Sequence, residues 1–430
     1  MSVACSNNAS SNHGPAESAG AGGTTADAAV VADATTPTDA GSSFICGSPG
    51  ADWRRCAANP IVLGWQSTAF SPGKYVWTRA DPTLLYDSDA SLWKAWWSSA
   101  VAASCLDMVD EANREIDTMY AESTDGLHWT VQDQPALRSH SGPGAWDDTT
   151  VETPSVAIVP NAPPDKRFVL LYAGGNSALM TVAGQIGWQI GLAFSSDGKS
   201  FTRLPAKQSP YAAATTPFAT IDGLVLLARD VFPGFPGVVS GIVADPSVLW
   251  DGAEWHLWFS SLGVDAGGGP VLNGSRIAYG ISHATSSDLI HWTPQADNPV
   301  IMGGGQPTVV RDDASGRLDM WYGADTDQDK VGIPSALFPT RGFFHAQSSD
   351  GLAWSTQASR DFDWDPTLGY ESLGLINGAA VVRTGAELRL YYGAWGTANV
   401  PSGSCAFVNG DAGVVPVPGV FTLNVATKVP

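Results

Sequence analysis

Short apolar runs separated by polar turns dominate the chain, and one run recurs with a fixed ending. An apolar strand closing on paired aromatics or small residues appears as Leu92-Trp-Lys-Ala-Trp-Trp-Ser98, Phe168-Val-Leu-Leu-Tyr-Ala-Gly174, Trp255-His-Leu-Trp-Phe-Ser260, Leu318-Asp-Met-Trp-Tyr-Gly323 and Leu388-Arg-Leu-Tyr-Tyr-Gly393. A shorter apolar strand precedes each copy. These open Asp81-Pro-Thr-Leu-Leu, Thr153-Pro-Ser-Val-Ala, Asp245-Pro-Ser-Val-Leu, Gln306-Pro-Thr-Val-Val and Gly378-Ala-Ala-Val-Val. A third signature, Ser-(Ser/Thr)-Asp followed by an aromatic, occurs at Ser123–Trp129, Ser195–Phe201, Ser286–Trp292 and Ser348–Trp354. From each opening proline to the following Asp the offset is 43, 43, 42 and 43 residues. A period of this length marks a repeat architecture. Strand, turn, strand, Asp turn and aromatic make a four-stranded antiparallel unit.

The pattern predicts an all-β fold: a five-bladed β-propeller of four-stranded antiparallel blades, the five aromatic strands favouring five blades over the alternatives of four or six. The last unit lacks the Ser-Asp turn. Its outer strand is expected from the N-terminal segment near Asn59-Pro-Ile-Val-Leu63, which would close the ring. In this topology the starts of the innermost strands and the loops between second and third strands share one mouth. Cys105 lies in such a loop of the first unit and Cys405 in that of the fifth, so a disulfide between them is expected. Cys46 and Cys56 are close enough to staple the start of the folded part.

Composition changes the picture at the N-terminus. Residues 1–44 are rich in Ala, Ser, Thr, Gly and Asp, contain no Lys or Arg, and are expected to form a disordered tether. Residues 45–430 are expected to form the propeller. Ser-Val-Ala-Cys5-Ser resembles the end of a bacterial lipoprotein signal, with a lone cysteine in a flexible tail as the equal alternative. The even number of remaining cysteines fits an extracytoplasmic protein, secreted or lipid-anchored at a bacterial cell envelope. Lys and Arg number 22 against 42 Asp and Glu, a formal charge of −20. Such a surface repels phosphate backbones and excludes nucleic acid as a partner. No apolar run is long enough for a transmembrane helix, and a monomer is expected.

The mouth collects Asp81, Glu152-Thr153, Asp245, Gln306 and Asn377-Gly378. Carboxylates converging on one axial pocket are costly unless protonated, hydrogen-bonded or used. Cleavage of a glycosidic bond needs such a set, one carboxylate to activate water or attack and one acid to protonate the leaving oxygen. Ala80-Asp-Pro-Thr-Leu-Leu and Ala244-Asp-Pro-Ser-Val-Leu-Trp-Asp-Gly-Ala-Glu-Trp-His-Leu-Trp resemble the Asp-Pro blade openings of the five-bladed glycosidase superfamily, over roughly residues 60 to 428. That superfamily includes family 43 arabinanases and xylosidases, family 32 invertases and family 68 levansucrases. The resemblance implies that Asp81 is base or nucleophile, and that Asp245 orients the sugar and tunes the acid. It also implies an acid Glu two residues before a proline at the fourth opening, where this chain has Gly304-Gly-Gln-Pro. Gln306 can hydrogen-bond a hydroxyl but cannot serve as an acid. Glu152, before Thr153-Pro, is therefore the candidate acid, with Glu371 and the Asp107–Asp117 loop as rivals. The Asn-Asp-Pro-Asn-Gly segment of invertases is absent.

The resulting expectation is hydrolysis of a furanoside or pentose-containing glycan, an oligo- or polysaccharide, by carboxylates. The alternative is a propeller that binds carbohydrate without cleaving it. A sialidase-like enzyme is weaker, because the Ser-Asp turns are similar to Asp-boxes but one residue short, and no arginine triad is evident. Gln306 and Asn377 are candidate sugar-binding residues. Trp77, Trp146, Trp364 and Trp395 fall in mouth-side loops, and Trp77 and Trp146 are the preferred stacking platforms. No cofactor is required. Some family 43 members hold an axial calcium, so the resemblance admits one. His283 and His345 share one repeat position and read as structural. Asp325, Asp327 and Asp329 alternate like a calcium loop but lack the glycine and distal Glu of an EF-hand.

Overall fold

A computed structural model describes residues 46, 50–64, 66–109, 113–139, 144–176, 187–216, 218–324, 341–385, 387–410 and 413–429. All belong to the compact unit Ala32–Pro430. The expected tether, Cys5 and the Asp325–Asp329 loop lie outside the described residues.

The described chain is almost entirely strand. The inner strands are Ala80–Asp87, Thr150–Ile158, Ser240–Trp250, Gly304–Arg311 and Gly374–Thr384. Each pairs antiparallel with the aromatic strand that follows it: Leu92–Ala102, Phe168–Gly175, Trp255–Val264, Leu318–Ala324 and Glu387–Gly396. Third strands add to the first four sheets at Glu115–Ser123, Gln189–Ser195, Tyr279–Ser286 and Gly342–Ser348. In the last sheet Val420–Lys428 takes that place. Consecutive inner strands lie side by side, and the last of them lies against the first.

A short sequence motif explains why the inner strands meet as they do. In the X-Pro-(Ser/Thr) openings, proline removes a ladder donor, and the pairing register slips at each one. The X residue is left-handed every time: Asp81 at φ 49°, Thr153 at 50°, Asp245 at 52° and Gln306 at 58°. None is glycine, so each costs about 1–2 kcal/mol that the surrounding sheet must hold in place. The third residue of the motif stitches neighbouring sheets. Ser155 Oγ accepts Val248 N–H at 3.0 Å and Ser247 Oγ accepts Val309 N–H at 3.0 Å. Thr83 and Thr308 make longer versions, to Val156 at 3.5 Å and Val381 at 3.4 Å.

The last inner strand has Ala380 where the others carry a hydroxyl, so its seam with the first sheet is closed differently. Gly378 N–H donates to Asp81 Oδ1 at 3.1 Å, and Cys105 is disulfide-bonded to Cys405. The N-terminal segment then adds to the last sheet, with Val62 opposite Leu423 and Arg54 opposite Thr427. The Cys46–Cys56 disulfide staples that segment. Both pairings and the N-terminal outer strand match the sequence reading.

The Ser-Asp turns are rivets. In each, the Ser Oγ accepts the N–H three residues on, at 2.9 Å for Gly126, Gly198, Leu289 and Gly351. The carbonyls of three of these residues then take a donor from the preceding sheet. Trp96 Nε1 reaches Gly198 O at 2.8 Å, Trp258 Nε1 reaches Gly351 O at 2.9 Å, and Tyr391 Oη reaches Gly126 O at 3.1 Å. These aromatics are fully buried, so these three turns each fix one sheet to the next through its core.

Candidate active site

The slipped register at each opening turns the X residue out of the sheet toward its neighbours, which builds a belt of hydrogen bonds across the sheets. Ser98 Oγ accepts Thr153 N–H at 2.7 Å, and Thr153 Oγ1 accepts Asp245 N–H at 3.2 Å. Ser260 Oγ accepts Gln306 N–H at 2.7 Å. The same two serines hydrogen-bond the carboxyls beside them, Ser98 that of Asp81 and Ser260 that of Asp245. A hydroxyl that takes an N–H from the next sheet has its own proton free for the carboxylate.

A pocket of about 110 Å³ opens inside this belt, with Glu152, Thr153, Trp188, Asp245, Ser260 and Gln306 on its walls. Glu152 and Asp245 come from different sheets, both stand half-buried on the wall, and the charge of Asp245 helps to raise the Glu152 carboxyl. Asp81 is not on the pocket wall. It is the more deeply buried of the two Asp-Pro aspartates, capped by Gly378 N–H.

Burial raises all three carboxyls. Asp81 stands well above the ordinary range, first because it is desolvated and then because Asp245 and Glu152 repel a charge there. Burial takes Glu152 up to about 7, with Arg114 and an indole hydrogen bond from Trp188 pulling against it and Asp245 pushing with it. Burial takes Asp245 up to about 6, opposed by Ser260. Three carboxyls this close cannot all ionise together, and the deepest holds its proton longest.

This arrangement has a stability consequence. A raised carboxyl binds its proton more tightly in the native state, so native stability falls as pH climbs from the unfolded value toward the folded one. Glu152→Gln removes that loss. The variant is expected to melt above the wild type at about pH 8 and level with it at about pH 4, where both side chains are neutral. Equal melting temperatures at both pH values in a thermal scan would contradict the assignment.

Gln306 is nine-tenths buried on the pocket wall, and its Oε1 has no hydrogen-bond partner among the described residues. A buried carbonyl oxygen in that state calls for a donor, which a ligand hydroxyl supplies. The side chain of Asn377 lies outside the described residues.

The two preferred stacking platforms are packing residues instead. Trp77 is buried, with Nε1 on Ala102 O at 3.0 Å, and its ring meets Tyr75. Trp146 is buried, with Nε1 on Asp222 O at 2.8 Å, and stacks on Tyr172. Trp395 stacks on Phe421 and Trp364 packs on a core cluster. The tryptophan on the pocket wall, where Tyr279 lines the pocket with it, is Trp188, which the repeat pattern does not mark. Its signal is faint: one Trp immediately ahead of a third strand.

The rival acids that the structure describes are occupied elsewhere, while Asp110 and Glu111 of the Asp107–Asp117 loop lie outside the described residues. Glu371 is fully buried and paired with Arg55 at 2.5 Å, which ties the N-terminal segment down. Asp107 bonds Ser104 at the start of a short helix, and buried Asp117 accepts from Ser139 N and Oγ. His283 bonds His256 at 3.0 Å, and His345 bonds Asp319 at 2.9 Å while stacking on Trp321. Among the described residues no group of three or more His, Cys, Asp or Glu is placed to hold a metal ion.

Curled antiparallel sheets of this kind, stitched side by side, define an all-β molecule of the propeller type. Comparison with solved structures agrees. A complex of BT0996 with RGII matches with a TM-score of 0.51 at 16% identity, over 86% of this protein and 90% of that one. A glycosyl hydrolase from Bacteroides ovatus matches with a TM-score of 0.50 at 15% identity, over 89% and 95%. The β-1,2-mannobiose phosphorylase from Listeria innocua, in complex with β-1,2-mannobiose, matches with a TM-score of 0.50 at 11% identity, over 88% and 96%. At such identities the likeness is one of fold. These neighbours carry names other than the arabinanase, invertase and levansucrase families that the Asp-Pro openings resemble. No protein-family model matches the sequence, and no curated protein matches it either.

Proposed function

We propose that the protein is an extracytoplasmic glycoside hydrolase built on five blades, in which Glu152 is the acid and Asp245 the base. The observation that carries this reading is the presence of these two carboxyls, from adjacent sheets, on the wall of one pocket. Glu152 gives its proton to the glycosidic oxygen as the bond to the anomeric carbon breaks. Asp245 takes a proton from the water whose oxygen bonds to that carbon. Asp81, raised by burial and by the two neighbouring carboxyls against the opposing hydrogen bonds from Gly378 and Ser98, is assigned the proton, and Gln306 Oε1 accepts from a sugar hydroxyl. These roles exchange those of Asp81 and Asp245 relative to the Asp-Pro resemblance. Support for five blades comes from the inner-strand openings and the contact of the last inner strand with the first. Two disulfides favour an oxidising compartment.

The expected substrate is a furanoside or pentose-containing glycan. The panel that tests it holds arabinan, xylan, fructan, an RGII oligosaccharide and β-1,2-mannobiose, with released reducing ends as the readout. The base must be ionised and the acid protonated, so activity is expected to fall on the acid side of about 6 and the alkaline side of about 7, a narrow bell. A flat profile from acid to alkaline pH would remove the pairing. The second reading, carbohydrate binding without cleavage, is favoured by one feature, the lack of a glutamate at the fourth opening, where Gly305 stands two residues before the proline. Tight glycan binding with no released ends would select it.

A further inference from the structure

Trp188 is held unusually firmly for a residue ahead of a strand. Its carbonyl accepts Val243 N–H at 2.9 Å, which fixes the backbone to the inner strand carrying Asp245. Next to it, Gln189 Nε2 donates to Gly241 O at 3.0 Å and Gln189 Oε1 accepts Ala228 N–H at 2.7 Å. A Cβ at Gly187, on the other side, would lie 2.7 Å from Ile242. The backbone around Trp188 is thus tied to the third sheet while the indole Nε1–H donates to Glu152 Oε1 of the second. Unlike Trp77 and Trp146, it has no ring partner among the described residues, and it stands on the pocket wall.

We infer that Trp188 is the positioning residue of this pocket, holding the Glu152 carboxyl across the seam toward the bond to be cleaved. This rests on the assignment of Glu152 as the acid. The donated hydrogen bond favours the ionised carboxylate, so the indole both aims the acid and restrains the rise that burial imposes.

The test uses the full-length protein. In the wild type, the indole ¹H–¹⁵N resonance of Trp188, identified by its loss in Trp188→Phe, is expected to titrate with a midpoint near 7, and to stay fixed across the neutral range in Glu152→Gln. Trp188→Phe is expected to move the alkaline limb of the pH–rate profile up by about one unit. A purely structural role would lower the rate at all pH values without moving that limb. A Trp188 resonance that ignores pH, or titrates unchanged in Glu152→Gln, overturns the inference. If the wild type cleaves no glycan in the panel, the hydrolase reading fails, and the indole titration still decides whether Trp188 holds Glu152.

Discussion

Asp245→Asn and Glu152→Gln are each expected to lower glycan hydrolysis by about 10²–10⁴-fold, the usual contribution of a positioned acid or base. Asp81→Asn is expected to cost less than about tenfold. The contrast follows from burial and charge. Asn is a close replica of a protonated Asp, so the exchange hardly alters a carboxyl that already carries its proton. At Asp245 it removes the ionised group that the pocket exposes. The Asp-Pro resemblance gives the opposite order, with Asp81 as base. Initial rates of the three variants on whichever glycan the wild type cleaves separate the two assignments. An Asp81→Asn variant as inactive as Asp245→Asn would return the base to the first sheet.

Removing the Cys105–Cys405 disulfide is expected to produce the largest loss of stability. The bond joins residues 300 apart in sequence and closes a loop spanning most of the ring. Its chain-entropy contribution is about 2–5 kcal/mol. The seam it bridges is also the one where Ala380 leaves out the hydroxyl stitch that Ser155, Ser247 and their counterparts make elsewhere. Cys105→Ser with Cys405→Ser is therefore expected to lower the melting temperature by roughly 5–10 °C. The Cys46–Cys56 bond, with a sequence separation of 10, contributes less by the same reasoning. A double variant that melts with the wild type would show that the ring closes without the clasp.

Much of this was legible in the sequence because the repeating parts are local. The X-Pro-(Ser/Thr) openings dictate the register slip, and the Ser-Asp turns are formed by residues within three positions of one another. Their spacing therefore carried the sheet order, the N-terminal outer strand and the Cys105–Cys405 disulfide, while Cys46–Cys56 was marked by its closeness in sequence. The site was only half legible. Asp81 and Asp245 sit in nearly identical sequence, Ala-Asp-Pro-Thr-Leu-Leu and Ala-Asp-Pro-Ser-Val-Leu, yet they meet different neighbours. Beside Asp81 the adjoining strand offers Gly378, whose bare backbone N–H donates to Oδ1 of the carboxyl. A Cβ there would lie 3.7 Å from Asp81 Oδ1. Beside Asp245 the next strand offers Gln306, and the aspartate stays on the wall. That difference belongs to the partner strand, which no motif around the aspartates records.

The tryptophans failed as indicators for a related reason. Trp146 occupies a mouth-side loop in the repeat, but the long connection after the second sheet folds back and supplies Asp222 O to its indole. That connection follows no repeat. Trp188 lies in a stretch with no signature, and only its contact with Glu152 marks it.

Titration of the Glu152 side-chain carboxyl by ¹³C NMR, in the wild type and in Asp245→Asn, tests the shared pocket most directly. A midpoint near 7 in the wild type that moves down when Asp245 loses its charge is the expected result. A midpoint in the ordinary glutamate range, unmoved by Asp245→Asn, would mean that the two carboxyls do not share a site.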